Sequence, residues 1–291
     1  KDFKSALDYF NKSLDIKESN GFPGSELVYL NIAKAWMELK DPVRAEAYFK
    51  RSIEKLVSRF NENHFRLAEV YFDYGLFLES EGRFVEALNA HNKALSISKI
   101  NYGNKHPLVS LAYKHIGDHF SKQADYNSAA DYYQKSLIAV VNDFDDPDIK
   151  SNPDIDSVLF DIRLLDNLKS KSLALELLAS EQNNDDQKLL TLRKSLETIE
   201  LALLLTERIS NSYLTEESRI YLSENEKETS ITAIGIAGAL QALTGEQSLT
   251  EKMFTIAMKE KAAILRNEIK ENDFYLSSGI PDSLGKLRSN I

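Results

Sequence analysis

Apolar and polar positions recur with a helical spacing along most of the chain. Apolar residues stand three and four positions apart, which places them on one face of an α-helix. Three segments repeat this pattern in register: SELVYLNIAKAWMELKDPVRAEAYFKRSI, LAEVYFDYGLFLESEGRFVEALNAHNKAL and VSLAYKHIGDHFSKQADYNSAADYYQKSL. Ala45, Ala87 and Ala129 follow one another at a step of 42 residues. A fixed period of this length predicts an internal helical repeat.

The same period relates small residues to one another and large residues to one another. Ala33, Gly75 and Gly117 form a small column, and small side chains let two antiparallel helices approach closely. One hairpin cannot bury both of its faces, so the pattern predicts an all-α solenoid of stacked antiparallel hairpins. The other columns are Tyr29, Tyr71 and Tyr113; Trp36, Leu78 and Phe120; and Ser52, Ala94 and Ser136. The hairpin turns are predicted at Asp41-Pro42, Glu81-Gly82 and Ala124-Asp125.

The period fades after about Val141, where a loop rich in Asp and Pro begins. Helical patterns follow at 156–182, 185–211, 216–244 and 248–272, and we interpret them as two longer, degenerate hairpins that continue the stack. The predicted organisation is 1–141, repeats of which the first is partial; 142–157, an acidic Pro-containing loop; 158–275, the two longer hairpins; and 276–291, a tail leading toward a missing C-terminal domain.

The amino end and the composition narrow the class of protein. Phe3, Ala6 and Phe10 match the second helix of an earlier repeat, so we expect the chain to be cut inside a repeat and its targeting to be unknown. The net charge of -9 disfavours nucleic acid as a direct ligand. No apolar run is long enough to cross a membrane, and we expect a cytoplasmic protein. The chain has no cysteine, which excludes disulfides and a cysteine nucleophile within it.

The order of small and aromatic residues resembles the tetratricopeptide repeat, although the period is 42 rather than about 34 residues. The longer period and the segment YGNKHPLVSLAYKHIG at 102–117 are similar to repeats of the kinesin light chain variety. This resemblance implies a right-handed superhelix in which the first helix of each hairpin lines an inner groove.

The groove is the predicted binding site for a protein or peptide ligand. Asn31, in YLNIAKAW, resembles the asparagine with which kinesin light chain repeats hold a peptide backbone, and an amide can both donate to and accept from an extended peptide. Asp73 and His115 occupy the aligned positions, so the asparagine ladder is broken. An empty, solvated face is the alternative. The predicted lining residues are Leu30, Asn31, Lys34, Phe72, Asp73, Leu76, Lys114, His115 and Asp118.

The second half resembles the region that precedes the peptidase in bacterial CHAT-family proteins, which join caspase-like peptidases to tetratricopeptide repeats. The resemblance rests on DFDDPDIKSNPDID, LLTLRKSLETIELALLLTERISNSYLTEESRIYLSENEKE, TGEQSLTEKMFTIAMKEKAAILRNEI and GIPDSL, within about 143–291. It implies that the chain is a regulatory module holding a caspase-like peptidase, whose catalytic His and Cys come later. The alternative is a free-standing adaptor that binds short linear peptides in the groove.

Three further features of the sequence are explained better by packing or by solvent exposure than by a ligand-binding site. His115 and His119 stand four apart on a helix and could face one metal, as a metal-dependent hydrolase would need, but no third ligand is indicated. The acidic loop lacks the Gly of a calcium loop and is interpreted as a solvated linker. Gly235 and Gly238 are attributed to close helix packing. We therefore predict no catalytic residue, no metal and no cofactor, and no enzyme within this chain.

Overall fold

The computed structural model describes residues 2–155, 162–213, 215–259 and 261, and every regular element within them is an α-helix. The chain divides into two compact units, Lys1–Ile149 and Lys150–Ile291. The helices are α1 (Phe3–Ser19), α2 (Ser25–Glu38), α3 (Pro42–Arg59), α4 (Arg66–Ser80), α5 (Phe84–Tyr102), α6 (Pro107–Lys122), α7 (Tyr126–Val140), α8 (Ile162–Glu181), α9 (Asp185–Ser212) and α10 (Glu216–Thr244), followed by α11 over 247–259.

The first unit is a stack of antiparallel hairpins. α2 packs against α3, α4 against α5, and α6 against α7, while α1 packs against α2. Successive hairpins meet through α3 with α4 and through α5 with α6. Ala45, Ala87 and Ala129 are each 0% exposed, because they lie where two helices come together. The predicted all-α stack of hairpins is confirmed, and the 42-residue column of alanines lies in its core.

Gly75 and Gly117 lie where a ring from the second helix of the hairpin touches the backbone of the first. A Cβ added at Gly75 would lie 2.3 Å from His91 Cε1, and one at Gly117 would lie 2.7 Å from Tyr133 Cε1. The two rings are 0% and 3% exposed, so neither can move aside without disturbing a packed core. The absence of a Cβ at these two positions therefore sets the separation of the two helices.

The hairpin turns share a left-handed residue two positions after the end of the first helix. Lys40, Gly82 and Ala124, again spaced by the repeat, have φ angles of 60°, 73° and 60°. In each turn the next amide donates to the carbonyl five residues earlier, at 3.0, 2.9 and 3.0 Å. This is the arrangement that glycine favours at helix ends, because a Cβ is strained at positive φ. Two of the three turns therefore hold a strained residue.

The second helices begin with a side-chain cap in two of the three hairpins. Asp41 and Asp125 accept hydrogen bonds from the amide three residues later, at 3.0 and 3.1 Å. Arg83 occupies the aligned position and cannot accept such a bond. Its guanidinium instead bridges Glu86 at 2.7 Å and Glu46 of the preceding hairpin at 2.9 Å. The hydrogen bond from Arg83 lowers the pKa of Glu46 to about 2.

The second unit consists of longer helices held by a polar contact inside an apolar core. α8 packs against α9, and α9 also packs against α10. Ser172 on α8 and Ser195 on α9 are fully buried, and each hydroxyl donates to the carbonyl of the other residue, at 2.9 and 2.7 Å. Buried hydroxyls that are satisfied in this way stabilise the close contact between the two helices.

The observed helices of this unit follow the predicted helical patterns. Residues 156–161, 260 and 262–272 of those patterns, and the predicted tail at 276–291, lie outside the described residues. The division of the chain into four parts stays a prediction. None of the described helices combines the length and apolar character that a membrane span requires.

Close helix packing is the wrong explanation for Gly235. The residue is exposed, and no atom of the described residues lies within 4 Å of a Cβ added there. A Cβ at Gly238 would make an ordinary contact with Met253 Sδ at 3.5 Å. Neither position requires glycine in the way that Gly75 and Gly117 do.

The interpretation of the acidic loop as a solvated linker fits its exposed Asp side chains but not its apolar residues. In the first unit, Phe144 is 8% exposed, and Lys105 Nζ donates to its carbonyl at 2.6 Å. In the second unit, Ile155 is 3% exposed, and Lys171 Nζ donates to Asn152 Oδ1 at 3.0 Å. Lysine ammonium groups thus bind the loop through neutral oxygens, and Lys105 also pairs with the Asp145 carboxylate at 2.8 Å. The apolar side chains of the loop enter the core.

We expect Gly75→Ala to lower the free energy of unfolding by about 1–2 kcal/mol, because overpacking against the His91 ring outweighs the better helix propensity of Ala. Gly235→Ala is the matched control. It should raise stability by roughly 0.5–1 kcal/mol, because only the propensity changes there. Urea unfolding followed by circular dichroism measures both variants. Equal effects of the two substitutions would contradict the packing role of Gly75.

Lys40→Gly and Ala124→Gly should each raise the free energy of unfolding by about 1 kcal/mol, because glycine relieves the cost of positive φ. Gly82→Ala places a Cβ in the same conformation and should lower stability by a similar amount, about 1 kcal/mol. Thermal unfolding of the three variants compares the turns directly. A stabilising Gly82→Ala substitution would show that the turn does not impose this backbone conformation.

Candidate binding surface

The nine predicted groove residues all lie on the first helices of the three hairpins, α2, α4 and α6. Leu30 and Phe72 are 2% and 7% exposed and belong to the hydrophobic core, so their side chains offer little to a ligand. Asn31 is exposed, and its side chain forms no hydrogen bond within the described part of the chain. The remaining six are partly buried: Lys34, Asp73, Leu76, Lys114, His115 and Asp118.

Ion pairs organise the charged members of this surface. Lys34 Nζ on α2 lies 2.9 Å from Asp73 Oδ2 on α4, which links the first helices of two successive hairpins. On α6, Lys114 Nζ lies 3.0 Å from Asp118 Oδ2, one helical turn away. Asp118 also accepts a hydrogen bond from the Tyr133 hydroxyl at 2.8 Å. The surface therefore presents compensated charges beside an exposed amide, which suits binding to a polar backbone better than binding to one strong charge.

His115 is a packing residue in this arrangement. Its ring centroid lies 5.4 Å from that of Phe72 and 5.8 Å from that of His91, with which it is stacked at 8°. Burial lowers the pKa of His115 to about 4. The imidazole is therefore neutral at pH 7 and stabilises the contact between α5 and α6. Asn31, Asp73 and His115, which share one repeat position, thus have three different chemical roles.

A buried carboxylate on α4, which we did not predict, joins two hairpins. The Glu79 side chain is 3% exposed, and its Oε1 lies 3.2 Å from His91 Nε2 and 3.0 Å from His119 Nδ1. Its Oε2 accepts from Lys122 Nζ at 2.5 Å. Burial by itself raises the pKa of Glu79, but the hydrogen bonds from His91 and Lys122 outweigh it and lower the pKa to about 2. Glu79 is therefore a buried anion at neutral pH.

This carboxylate determines the tautomers of both histidines. A carboxylate can only accept, so the proton must sit on His91 Nε2 and on His119 Nδ1. The other nitrogen of His119, Nε2, lies 2.6 Å from Gln123 Nε2 and accepts from that amide. Both nitrogens of His119 are thus engaged, and burial lowers its pKa. In this conformation His119 offers no lone pair to the metal that its spacing from His115 could suggest.

A metal site is not formed elsewhere in the described ranges either. No group of three or more His, Asp or Glu side chains there could hold a metal ion.

The only signal that could have identified the Glu79 cluster is the aligned column Phe49, His91 and Tyr133, in which His91 replaces an aromatic residue at a core position. A polar ring in such a column requires a buried partner.

Comparison with known proteins agrees with this geometry. The model of the tetratricopeptide repeat family matches residues 66–137. The structure of BtubC (BKLC) from P. vanneervenii is similar with a TM-score of 0.56 and 13% identity, over 91% of this chain and 92% of that chain. A putative kinesin light chain from Podosopora anserina, with nearly identical TPR-like repeats, is similar with a TM-score of 0.50 and 12% identity, over 79% and 94% of the two chains. A search of the curated proteins found no match.

These likenesses confirm the predicted fold class, a tetratricopeptide-type helical solenoid. Repeats of this kind present extended surfaces to other proteins, and the chain is accordingly a protein–protein interaction scaffold.

Stability should fall on acidification because of His115. Its pKa is about 4 in the folded chain and about 6.5 when unfolded, so the unfolded chain takes up the proton first as the pH decreases from 6.5 toward 4. We expect this group to contribute a loss on the order of 2 kcal/mol between pH 7 and pH 4.5. His115→Asn should reduce the loss by that amount in urea unfolding at the two pH values.

Glu79 affects the stability of the fold at a lower pH than His115 does, so a Glu79 variant serves as the comparison. Its folded pKa of about 2 lies below the ordinary 4.5, so its stabilising contribution is present above pH 4.5 and is lost as the pH falls toward 2. Glu79→Gln should therefore lower stability at pH 7 without removing the loss between pH 6.5 and 4.5. If His115→Asn leaves that loss unchanged, His115 is not the buried neutral group described above.

Proposed function

We propose that this chain is a non-catalytic, cytoplasmic scaffold that holds and controls a caspase-like peptidase domain lying beyond its C-terminus. The proposal rests on the resemblance of about 143–291 to the region preceding such peptidases. The observation that carries it in the structure is an exposed apolar face on α11. Phe254 and Met258, one helical turn apart, are 67% and 49% exposed.

The opposite side of α11 is tied to α9 by ion pairs. Lys252 Nζ lies 2.5 Å from Glu200 Oε1, and Lys259 Nζ lies 3.5 Å from Glu207 Oε2. These ion pairs lie away from Phe254 and Met258, and both apolar side chains remain exposed to solvent. Burying one such side chain contributes roughly 1.5–3 kcal/mol, which supports a protein domain as the partner of this face. Regulation would then act through the contact between α11 and the peptidase.

The alternative is a free-standing adaptor that binds short linear peptides on the first helices. The exposed Asn31 amide and the Lys34–Asp73 pair support it, because they lie side by side on the predicted groove face. Asn31 could pair with a peptide backbone, and the compensated charges would tolerate many side chains. This adaptor would not need the second unit for binding.

Binding experiments with the full chain distinguish the two proposals. The probe is the caspase-like peptidase domain that the proposal places after Ile291, and Phe254→Asp/Met258→Asp should weaken its binding by about tenfold or more, equivalent to about 1.4 kcal/mol. The matched control is Val43→Asp/Val85→Asp, which changes two side chains of the first unit that are 80% and 77% exposed. Surface plasmon resonance measures both variants.

The reading frame itself is a first test. A continuation without the His and Cys of a caspase-like peptidase would end the peptidase proposal. If Asn31→Ala/Lys34→Ala abolishes binding of a protein ligand and the α11 variant retains it, the adaptor is the better description.

A further inference from the structure

The second helices of the first unit carry a row of cations at one repeat position. Arg51, Lys93 and Lys135 follow one another at the repeat step of 42 residues, on α3, α5 and α7. Lys12 on α1 precedes Arg51 by 39 residues, as Ala6 precedes Ala45. The four residues therefore occupy one position in four successive second helices. We call these four side chains the basic row.

Each cation of the basic row lies over a tyrosine ring, within the range of a cation–π interaction. Such a contact limits the rotamers of a long side chain and keeps its charge at the surface. The distances to the ring centroids are 5.5 Å for Lys12 and Tyr9, 5.3 Å for Arg51 and Tyr48, 5.1 Å for Lys93 and Tyr71, and 4.5 Å for Lys135 and Tyr132.

Most of this charge has no acidic partner. Lys12, Arg51 and Lys93 are exposed and form no ion pair within the described part of the chain. Lys135 pairs with Asp131 at 2.5 Å. The contrast with the first helices is clear, because Lys34 and Lys114 there are neutralised by Asp73 and Asp118. A chain with a net charge of -9 thus presents, on its second helices, three exposed cations of the row that no ion pair among the described residues neutralises.

The spacing of the row indicates the shape of its ligand. A first helix packs between successive second helices, as α4 does between α3 and α5. Since packed helices lie about 8–10 Å apart, one step of the row is at most about 16–20 Å, and an extended polypeptide of about twelve residues, at about 3.3–3.6 Å per residue, reaches at least three successive cations. We propose that the basic row binds an extended acidic polypeptide.

The surroundings of the row favour a polypeptide over a nucleic acid. The overall negative charge of the chain repels a dense polyanion, whereas an acidic peptide brings one charge for each cation. Tyrosine and arginine side chains are also the groups that contribute most at protein interfaces. The row lies on the second helices, so the proposal is independent of the groove on the first helices and of the α11 face.

A fluorescence anisotropy titration of the full chain tests the proposal. The probe is a labelled twelve-residue peptide of Gly and Ser with Glu at every third position, at low ionic strength. We expect Lys12→Glu/Arg51→Glu/Lys93→Glu to raise the Kd by about tenfold or more, and added salt to weaken binding to the unchanged protein. If the charge-reversal variant does not fold, the milder variant Lys12→Gln/Arg51→Gln/Lys93→Gln replaces it. This variant removes the three charges and should also weaken binding.

The matched control is Lys4→Glu/Lys40→Glu/Lys227→Glu, which makes the same charge change at exposed lysines outside the row. It should change the Kd by less than about twofold, because it alters only the net charge. Three results would overturn the proposal: no binding of the peptide to the unchanged protein, equal losses in the row and control variants, or tighter binding of a dT12 oligonucleotide than of the peptide.

Discussion

The close contact between a small residue of the first helix and the second helix is the constraint on which the hairpins of the first unit depend. At Gly75 and Gly117 the rings of His91 and Tyr133 occupy the space that a Cβ would need. The two helices of these hairpins can therefore approach closely and bury Ala87 and Ala129, and in the preceding hairpin the aligned residue is the fully buried Ala33. Because a small residue recurs at this repeat position, hairpins of similar width can stack, and the side chains at other repeat positions are brought into rows.

Polar contacts between hairpins add specificity to this apolar stack. Glu79 binds groups from α5 and α6, and Glu26, which is 1% exposed, binds Arg59 at 3.5 Å and Arg66 at 3.3 Å. A buried carboxylate is costly unless it is fully paired, so these pairs are compatible with only one register between neighbouring hairpins. Such pairs thus fix how neighbouring hairpins stack, and a preorganised surface lowers the entropic cost of binding.

The two helices of each hairpin present different surfaces to possible partners. The first helices carry paired charges and the exposed Asn31, which suit a polypeptide backbone. The second helices carry the basic row, whose charges are largely uncompensated, and α11 of the second unit carries exposed apolar side chains. Each proposed ligand follows from the chemistry of its own surface. A scaffold with several such surfaces is suited to bring more than one protein together.

The sequence by itself determined the helical class, the 42-residue repeat, the positions of the hairpin turns and the small-residue column, because these depend on local spacing along one helix or one hairpin. Only the tertiary structure decided that Leu30 and Phe72 enter the core, that Gly235 faces solvent, and that lysines hold the acidic loop by its neutral oxygens. Burial and pairing of this kind depend on which residues distant in the chain become neighbours. The Glu79 cluster shows the reason most directly, since its groups come from α4, α5 and α6 and meet only when two hairpins stack.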